Sequence, residues 1–127
     1  MKKRPQKKKR ILIVEDNPDL IILLQKLVKL LGYDSIVAMN GKQAVDMAIG
    51  QMPDLILMDI ILPEMDGLEA TRLIRKNPKT HSIPIIAVTG RISRKDREKY
   101  LQSGCDDYIV KPFARNQLAS CIKKLLN

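Results

Sequence analysis

Five short β-type segments, each closed by a polar residue and each followed by a stretch of helical periodicity, constrain this chain more than any other feature. Ile11-Leu12-Ile13-Val14 is an unbroken apolar run that stops at Glu15-Asp16, as expected of a strand covered on both faces. Asn17 and Pro18 then supply a helix N-cap and a first helical position. Leu20, Leu24, Leu27, Val28 and Leu31 recur at helical spacing before Gly32. The alternation continues with a short strand near 35–38, a helix over about 42–49 closed by Gly50, and a strand Leu55-Ile56-Leu57-Met58 ending at Asp59. After a loop containing Pro63 and Gly67, a helix over about 68–75 leads to the strand Ile85-Ile86-Ala87-Val88, which ends at Thr89. A polar helix over 94–102 stops at Ser103-Gly104, a fifth strand over 108–110 ends at Lys111-Pro112, and a last helix spans 115–126. Five such alternations with short connections predict an α/β, doubly wound fold: a parallel sheet with right-handed crossovers and helices on both faces.

The 127 residues, 45% of them hydrophobic, suffice for one domain with a core and are too few for two. One domain must therefore carry the function. No stretch approaches the roughly 20 apolar residues that span a bilayer, and the N-terminus lacks the apolar run of a secretory signal, so the expectation is a cytoplasmic protein without membrane insertion. Cys105 and Cys121 have no metal-type spacing and are expected to be reduced thiols; His81 sits in a polar loop and is expected to be solvated. The net charge of +9 suggests nucleic acid until its location is considered: residues 1–10 hold seven Lys or Arg and no acid, and without them the charge is +2. The boundaries expected are a basic, disordered tail over 1–10 and a folded domain over 11–127. Such a tail is usually solvated; weak attraction to nucleic acid or to an anionic surface is the secondary reading.

In doubly wound sheets the ligand site lies beyond the carboxyl ends of the strands. Glu15 and Asp16 follow the first strand, Asp59 the third, Thr89 the fourth and Lys111 the fifth. A core needs none of these there. Three clustered carboxylates repel one another, and a hard divalent cation is the natural remedy. Mg2+ fits best, because it takes oxygen ligands, commonly one or two carboxylates plus phosphate oxygens, and no His or Cys stands ready for a transition metal. Thr89 and Lys111 suit a phosphoryl group whose oxygens need a hydrogen-bond donor and a positive charge. The carboxylate best placed to attack phosphorus is Asp59, from the middle strand.

Taken singly, each of these residues has a plainer explanation: Asp16 and Asn17 as helix caps, Asp59 as a turn residue, Lys111 as a solvated surface lysine, Tyr108 as a packed sheet aromatic. Jointly they carry a resemblance. Ile11 to Asn17 (ILIVEDN), Asp54 to Asp66 (DLILMDIILPEMD), Thr89, and Gly104 to Phe113 (GCDDYIVKPF) resemble the receiver domains of bacterial response regulators, over everything that follows the tail. The resemblance, to the stand-alone type similar to the chemotaxis regulator, implies a flavodoxin-like five-stranded sheet in the order 2-1-3-4-5 with five helices. It implies Asp59 as phosphoacceptor, and Glu15, Asp16, Asp59 and the Ile61 backbone carbonyl as Mg2+ ligands. Thr89 and Lys111 would grip the phosphoryl group, Thr89 and Tyr108 would form the switch, and Lys111-Pro112 would be cis. The implied partners are a histidine kinase or histidine phosphotransfer protein and a downstream effector protein. The implied chemistry is confined to the domain's own phosphorylation and dephosphorylation.

Apolar Ile61 and basic Arg91 stand at positions that influence the lifetime of the acyl phosphate in related receivers, and Gly90 should leave the site open to small donors. Ile61 also weighs against a hydrolytic aspartyl phosphatase, which typically carries a second acid there. Ile21, Ile22, Leu23 and Leu30 make the first helix apolar beyond one stripe. They could be buried in the core or could dock the helical bundle that delivers phosphate from histidine.

Overall fold

The computed structural model describes residues 8–90 and 93–126. Among them, five strands and five helices alternate: β1 (Arg10–Val14), α1 (Pro18–Leu30), β2 (Asp34–Ala38), α2 (Gly41–Gln51), β3 (Leu55–Asp59), α3 (Gly67–Lys76), β4 (Ile85–Thr89), α4 (Arg94–Ser103), β5 (Asp107–Val110) and α5 (Arg115–Leu126). The strands form one sheet in the order β2-β1-β3-β4-β5, with β1 paired parallel to β2 and β3, and β4 parallel to β3 and β5. This is the flavodoxin-like doubly wound arrangement that the sequence implied.

Side-chain alternation along each strand divides the core in two. Leu12, Val14, Ile56, Met58, Ile85 and Ala87 pack with Ala44 and Ala48 of α2, Ile74 of α3 and Tyr100 of α4. Ile11, Ile13, Leu55, Leu57, Ile86 and Val88 pack with Leu24 and Val28 of α1 and Leu118 and Ile122 of α5. Both rows of the central strands are buried, which is why their sequences read as continuous apolar runs.

Several boundaries differ from the sequence reading for identifiable reasons. β1 begins at Arg10, because the Arg10 amide donates to Asp54 Oδ2 (2.8 Å) and its guanidinium reaches Gln51. Of the basic tail, Lys8, Lys9 and Arg10 are described, and Lys9 Nζ donates to the Leu126 carbonyl at 2.9 Å; residues 1–7, and Arg91, lie outside the described residues. Gly50 does not close α2: the helix runs on to Gln51, and Met52 adopts the left-handed conformation (φ 48°) with its amide on Ala48 O, just before Pro53. Asn17 caps α1 as expected, accepting from the amides of Asp19 and Leu20. Among the described residues no helix is long and apolar enough to cross a membrane.

One side chain with no signal in the local pattern joins two connections, the α3–β4 and α4–β5 loops. Arg75, in the last turn of α3, donates through Nε to Gly104 O (2.9 Å), through Nη1 to the carbonyls of His81 (3.0 Å) and Ile83 (2.7 Å), and through Nη2 to Asp106 Oδ2 (2.8 Å). The same Asp106 oxygen accepts the amide of Ile85 at the start of β4 (2.8 Å). Hydrogen bonds involving charged groups contribute more than neutral ones, and truncation leaves several carbonyls unpaired, so Arg75→Ala is expected to lower the unfolding free energy by about 2–3 kcal/mol. Urea unfolding monitored by circular dichroism measures this; an unchanged midpoint would contradict it.

Candidate functional site

β1, β3 and β4 bring their carboxyl ends to one edge of the sheet, and each apolar run ends there in a polar side chain. Glu15 (1% exposed), Asp59 (6%) and Thr89 (3%) are buried. Ligand oxygens of Glu15, Asp16 and Asp59 all lie within 4.8 Å of one another. Glu15 is held firmly: Oε2 accepts the amides of Asp16 and Asn17, each at 3.1 Å, and Oε1 accepts Lys111 Nζ at 3.1 Å. Lys111 Nζ also lies 3.4 Å from Asp59 Oδ2, while Asp59 Oδ1 accepts the Ile61 amide at 3.2 Å. Lys111 follows β5 through a backbone bond from its amide to Thr89 O (2.7 Å), and the Lys111-Pro112 peptide is cis.

The loop after β3 returns close to the strand it left. The Gly67 amide donates to Ile60 O at 2.9 Å, and a Cβ at Gly67 would stand 2.1 Å from the Asp59 carbonyl oxygen. Only glycine permits that approach. A Cβ at Gly41, which starts α2, would likewise stand 2.1 Å from Met65 O in the same loop, a requirement the sequence reading missed.

Electrostatics follow from the crowding. Burial, then the neighbouring Glu15 charge, push the Asp59 carboxyl up from 3.8 to about 6, against the opposing pull of Lys111 and the Ile61 amide. For Lys111, burial alone would lower the pKa; the Glu15 hydrogen bond and the charges of Asp59 and Glu15 outweigh it and raise it. The site thus holds an excess of negative charge over its single ammonium, and every donor in the acidic cluster is a carboxylate. That set could hold a metal ion, and its chemistry suits a hard divalent cation.

Thr89 and Tyr108 are less simply placed. The Thr89 hydroxyl lies 3.0 Å from the phenol oxygen of Tyr100, on α4, a buried contact. Tyr100 escaped the sequence reading; the signal available was a lone aromatic in the segment 94–103, which is polar apart from Leu101. Tyr108 is half-buried against the α2–α4 side of the core, with the Arg97 guanidinium 5.7 Å from its ring centroid. Ile61 is 79% exposed. His81 is exposed. Both cysteines are free: burial pushes the Cys105 thiol up to about 11, and burial with the Asp107 hydrogen bond (3.1 Å) pushes Cys121 up to about 12, so neither offers an accessible thiolate.

The family model for the response regulator receiver domain matches residues 11–123. The chain belongs to that family. It is 42% identical over 118 residues to the polar-differentiation response regulator DivK of Brucella anthropi, covering 93% of this chain and 96% of that protein. Among solved structures, it is similar to the receiver domain of sensor histidine kinase PA1611 from Pseudomonas aeruginosa PAO1, which has a magnesium ion coordinated in the active site cleft (40% identity, TM-score 0.88, covering 94% of this chain and 98% of that one). It is also similar to the signal receiver domain of a signal transduction histidine kinase from Syntrophus aciditrophicus (37% identity, TM-score 0.86, 93% and 89% covered). The chain is therefore a receiver domain of two-component signal transduction, a family whose role is to be phosphorylated and to switch partners, and its part is in signalling rather than in turnover of a metabolite.

A carboxyl whose pKa is raised by folding holds its proton more tightly in the native state, so the associated stability is present below the unfolded value of 3.8 and is lost as pH rises through about 6. Above that window, ionised Asp59 costs the metal-free fold on the order of 2–3 kcal/mol. In the presence of a chelator, Asp59→Asn is therefore expected to be more stable than wild type at pH 7.5, with the advantage shrinking toward pH 4. Urea titrations at the two pH values test this, and equal midpoints at pH 7.5 would refute it.

Proposed function

We propose that this receiver domain accepts a phosphoryl group on Asp59, in a reaction it catalyses on itself, and that the domain, expected over 11–127, also takes in Arg10 as the first residue of β1, preceded by the basic segment 1–9. The observation that carries the reading is the pairing of a buried Asp59 carboxylate with Lys111 Nζ at 3.4 Å, beside two further carboxylates at the edge of the sheet. An Asp59 oxygen forms the new bond to phosphorus as the bond to the donor breaks, whether that donor is a phosphohistidine nitrogen or the acyl oxygen of a small acyl phosphate. Lys111 neutralises the incoming phosphoryl oxygens, and the Thr89 hydroxyl donates to one of them. Asp16, Asp59 and the Ile61 backbone carbonyl would hold Mg2+ with Glu15, whose oxygens already accept backbone amides and Lys111. When bound, the ion supplies charge neutralisation and alignment for transfer. The magnesium described for the receiver of PA1611 supports this choice of metal.

Addition of roughly two negative charges at Asp59 then favours a conformer in which Thr89 and Tyr108 move inward, and the surface of α4, β5 and α5 changes for a downstream effector. Dephosphorylation needs a water placed at the acyl phosphate. The exposed, apolar Ile61 side chain offers no group to position one, which supports a long-lived phosphorylated state.

Incubation with acetyl phosphate and Mg2+ is expected to add one phosphoryl group by intact mass. The adduct should be absent in Asp59→Asn and in a chelated control, and should outlast seconds after donor removal. If neither acetyl phosphate nor a competent phosphohistidine donor gives an adduct, the reading fails.

The donor is a histidine kinase or histidine phosphotransfer protein in the cytoplasm. Ile22 (51% exposed), Leu23 and Leu30 lie on the outside of α1, so broad core burial does not explain them. Beside them a groove of about 550 Å3, lined by Leu20, Leu23, Pro112 and Phe113 among others, opens next to Lys111. An apolar helical partner seated there would reach Asp59. Ile22→Glu is expected to slow transfer from a phosphohistidine domain at least tenfold, about 1.4 kcal/mol, while leaving acetyl phosphate labelling unchanged. Equal slowing with both donors would point away from docking.

A further inference from the structure

The proposed transfer makes no use of Tyr100, yet this phenol is 5% exposed and lies 3.0 Å from the hydroxyl that the transfer needs. The alternation of β4 explains the meeting: Thr89 continues the row of Ile85 and Ala87, which faces the α2–α4 side of the core, and Tyr100 belongs to that same cluster. A buried tyrosine hydroxyl requires a polar partner, and Thr89 supplies one.

α4 depends on this contact more than its length suggests. Its sequence, RKDREKYLQS, is polar almost throughout, and its buried residues are Tyr100 and Ser103. A capping box between Ser93 and Asp96 fixes its start. One turn before Tyr100, Arg97 stands 5.7 Å from the ring centroid of Tyr108. Through two residues three positions apart, one helix therefore touches both groups of the proposed switch.

We infer that Tyr100 is a positioning residue of the phosphoacceptor site: in the unphosphorylated protein its phenol holds the Thr89 hydroxyl toward α4, and phosphorylation exchanges that bond for one to the phosphoryl group. The inference rests on Asp59 as the phosphoacceptor. The exchange runs in one direction because a hydrogen bond to a charged phosphoryl oxygen is roughly twice as strong as one between neutral hydroxyls. Its consequence is that α4 loses a hydrogen bond from one of its two buried residues whenever Asp59 is phosphorylated. The strength of the latch sets both the ease of phosphorylation and the amplitude of the change at α4.

Rates of acetyl phosphate labelling with Mg2+, followed by intact mass for wild type, Tyr100→Phe, Thr89→Val and the double variant, test the latch. Tyr100→Phe keeps the ring and removes the hydroxyl, and is expected to accelerate labelling roughly three- to tenfold, the value of one neutral hydrogen bond. In the Thr89→Val background the acceleration should vanish, because the latch then has nothing to hold. A wild-type or slower rate in Tyr100→Phe, or the same acceleration with and without the Thr89 hydroxyl, would overturn the inference while leaving Asp59 as acceptor. If wild type itself takes no phosphoryl group from acetyl phosphate or from phosphohistidine, the reading of Asp59 falls and the latch with it. A second measurement needs no variant: amide exchange in α4 should speed up on phosphorylation of the wild-type chain, and unchanged protection there would also overturn the inference.

Discussion

Crowding of carboxylates at the carboxyl edge of a parallel sheet is the constraint on which the rest of this structure depends. β1 and β3 are neighbours, so the residues that end them cannot be separated, and Glu15, Asp16 and Asp59 meet within a few ångströms. Burial makes their repulsion costly, and one lysine offsets part of it. Lys111 reaches both buried acids because β5, an edge strand, ends level with Thr89 and the Lys111 amide bonds to the Thr89 carbonyl. Burial first, and then the unbalanced negative charge, raise the Asp59 pKa, and the same charge makes the pocket suited to a divalent cation. Stability is sacrificed locally for that receptivity, a common pattern at functional sites.

In the proposed function the sheet also separates chemistry from readout. Asp59 continues the row of Leu55 and Leu57, which faces α1 and α5, and the exposed apolar residues of α1 lie on that side. Thr89 continues the opposite row and meets α4. Neighbouring strand ends thus place the proposed acceptor carboxylate and a hydroxyl beside one another while directing them to different helical layers. A charge added on one side can be felt on the other through a single side chain. α4 suits the proposed receiving role because its buried pair, Tyr100 and Ser103, is polar-tipped, whereas α1 and α5 bury apolar pairs and pack Leu20, Leu27, Cys121 and Leu125 beside them.

Local signals accounted for most of the secondary structure. The Asn17-Pro18 start of α1 and the whole of α5 fell where capping and periodicity put them, and β3 and β4 announced themselves as apolar runs with both faces buried. Gly50 misled because a glycine closes a helix only where a left-handed residue is needed, and that conformation fell to Met52, next to Pro53. The excess apolar residues of α1 were ambiguous in sequence, since periodicity says which residues share a face but not how wide a face the core can cover. In the structure Leu24 and Val28 are buried, while Ile22, Leu23 and Leu30 remain outside.

The sequence by itself determined the fold class, the order of the elements, and the residues that gather at the strand ends, because strand alternation and parallel connection are consequences of local pattern. It also carried the family, through short motifs whose residues are adjacent in the chain. Tertiary structure alone decided how Lys111 divides itself between Glu15 and Asp59, that Arg75 joins two connections, that Gly67 and Gly41 must lack a side chain, and that the Thr89 hydroxyl meets Tyr100. Each of these is a contact between residues distant in sequence or on different elements, fixed by the register of the sheet and by the seating of a helix on it, and no periodicity in the chain encodes such distances.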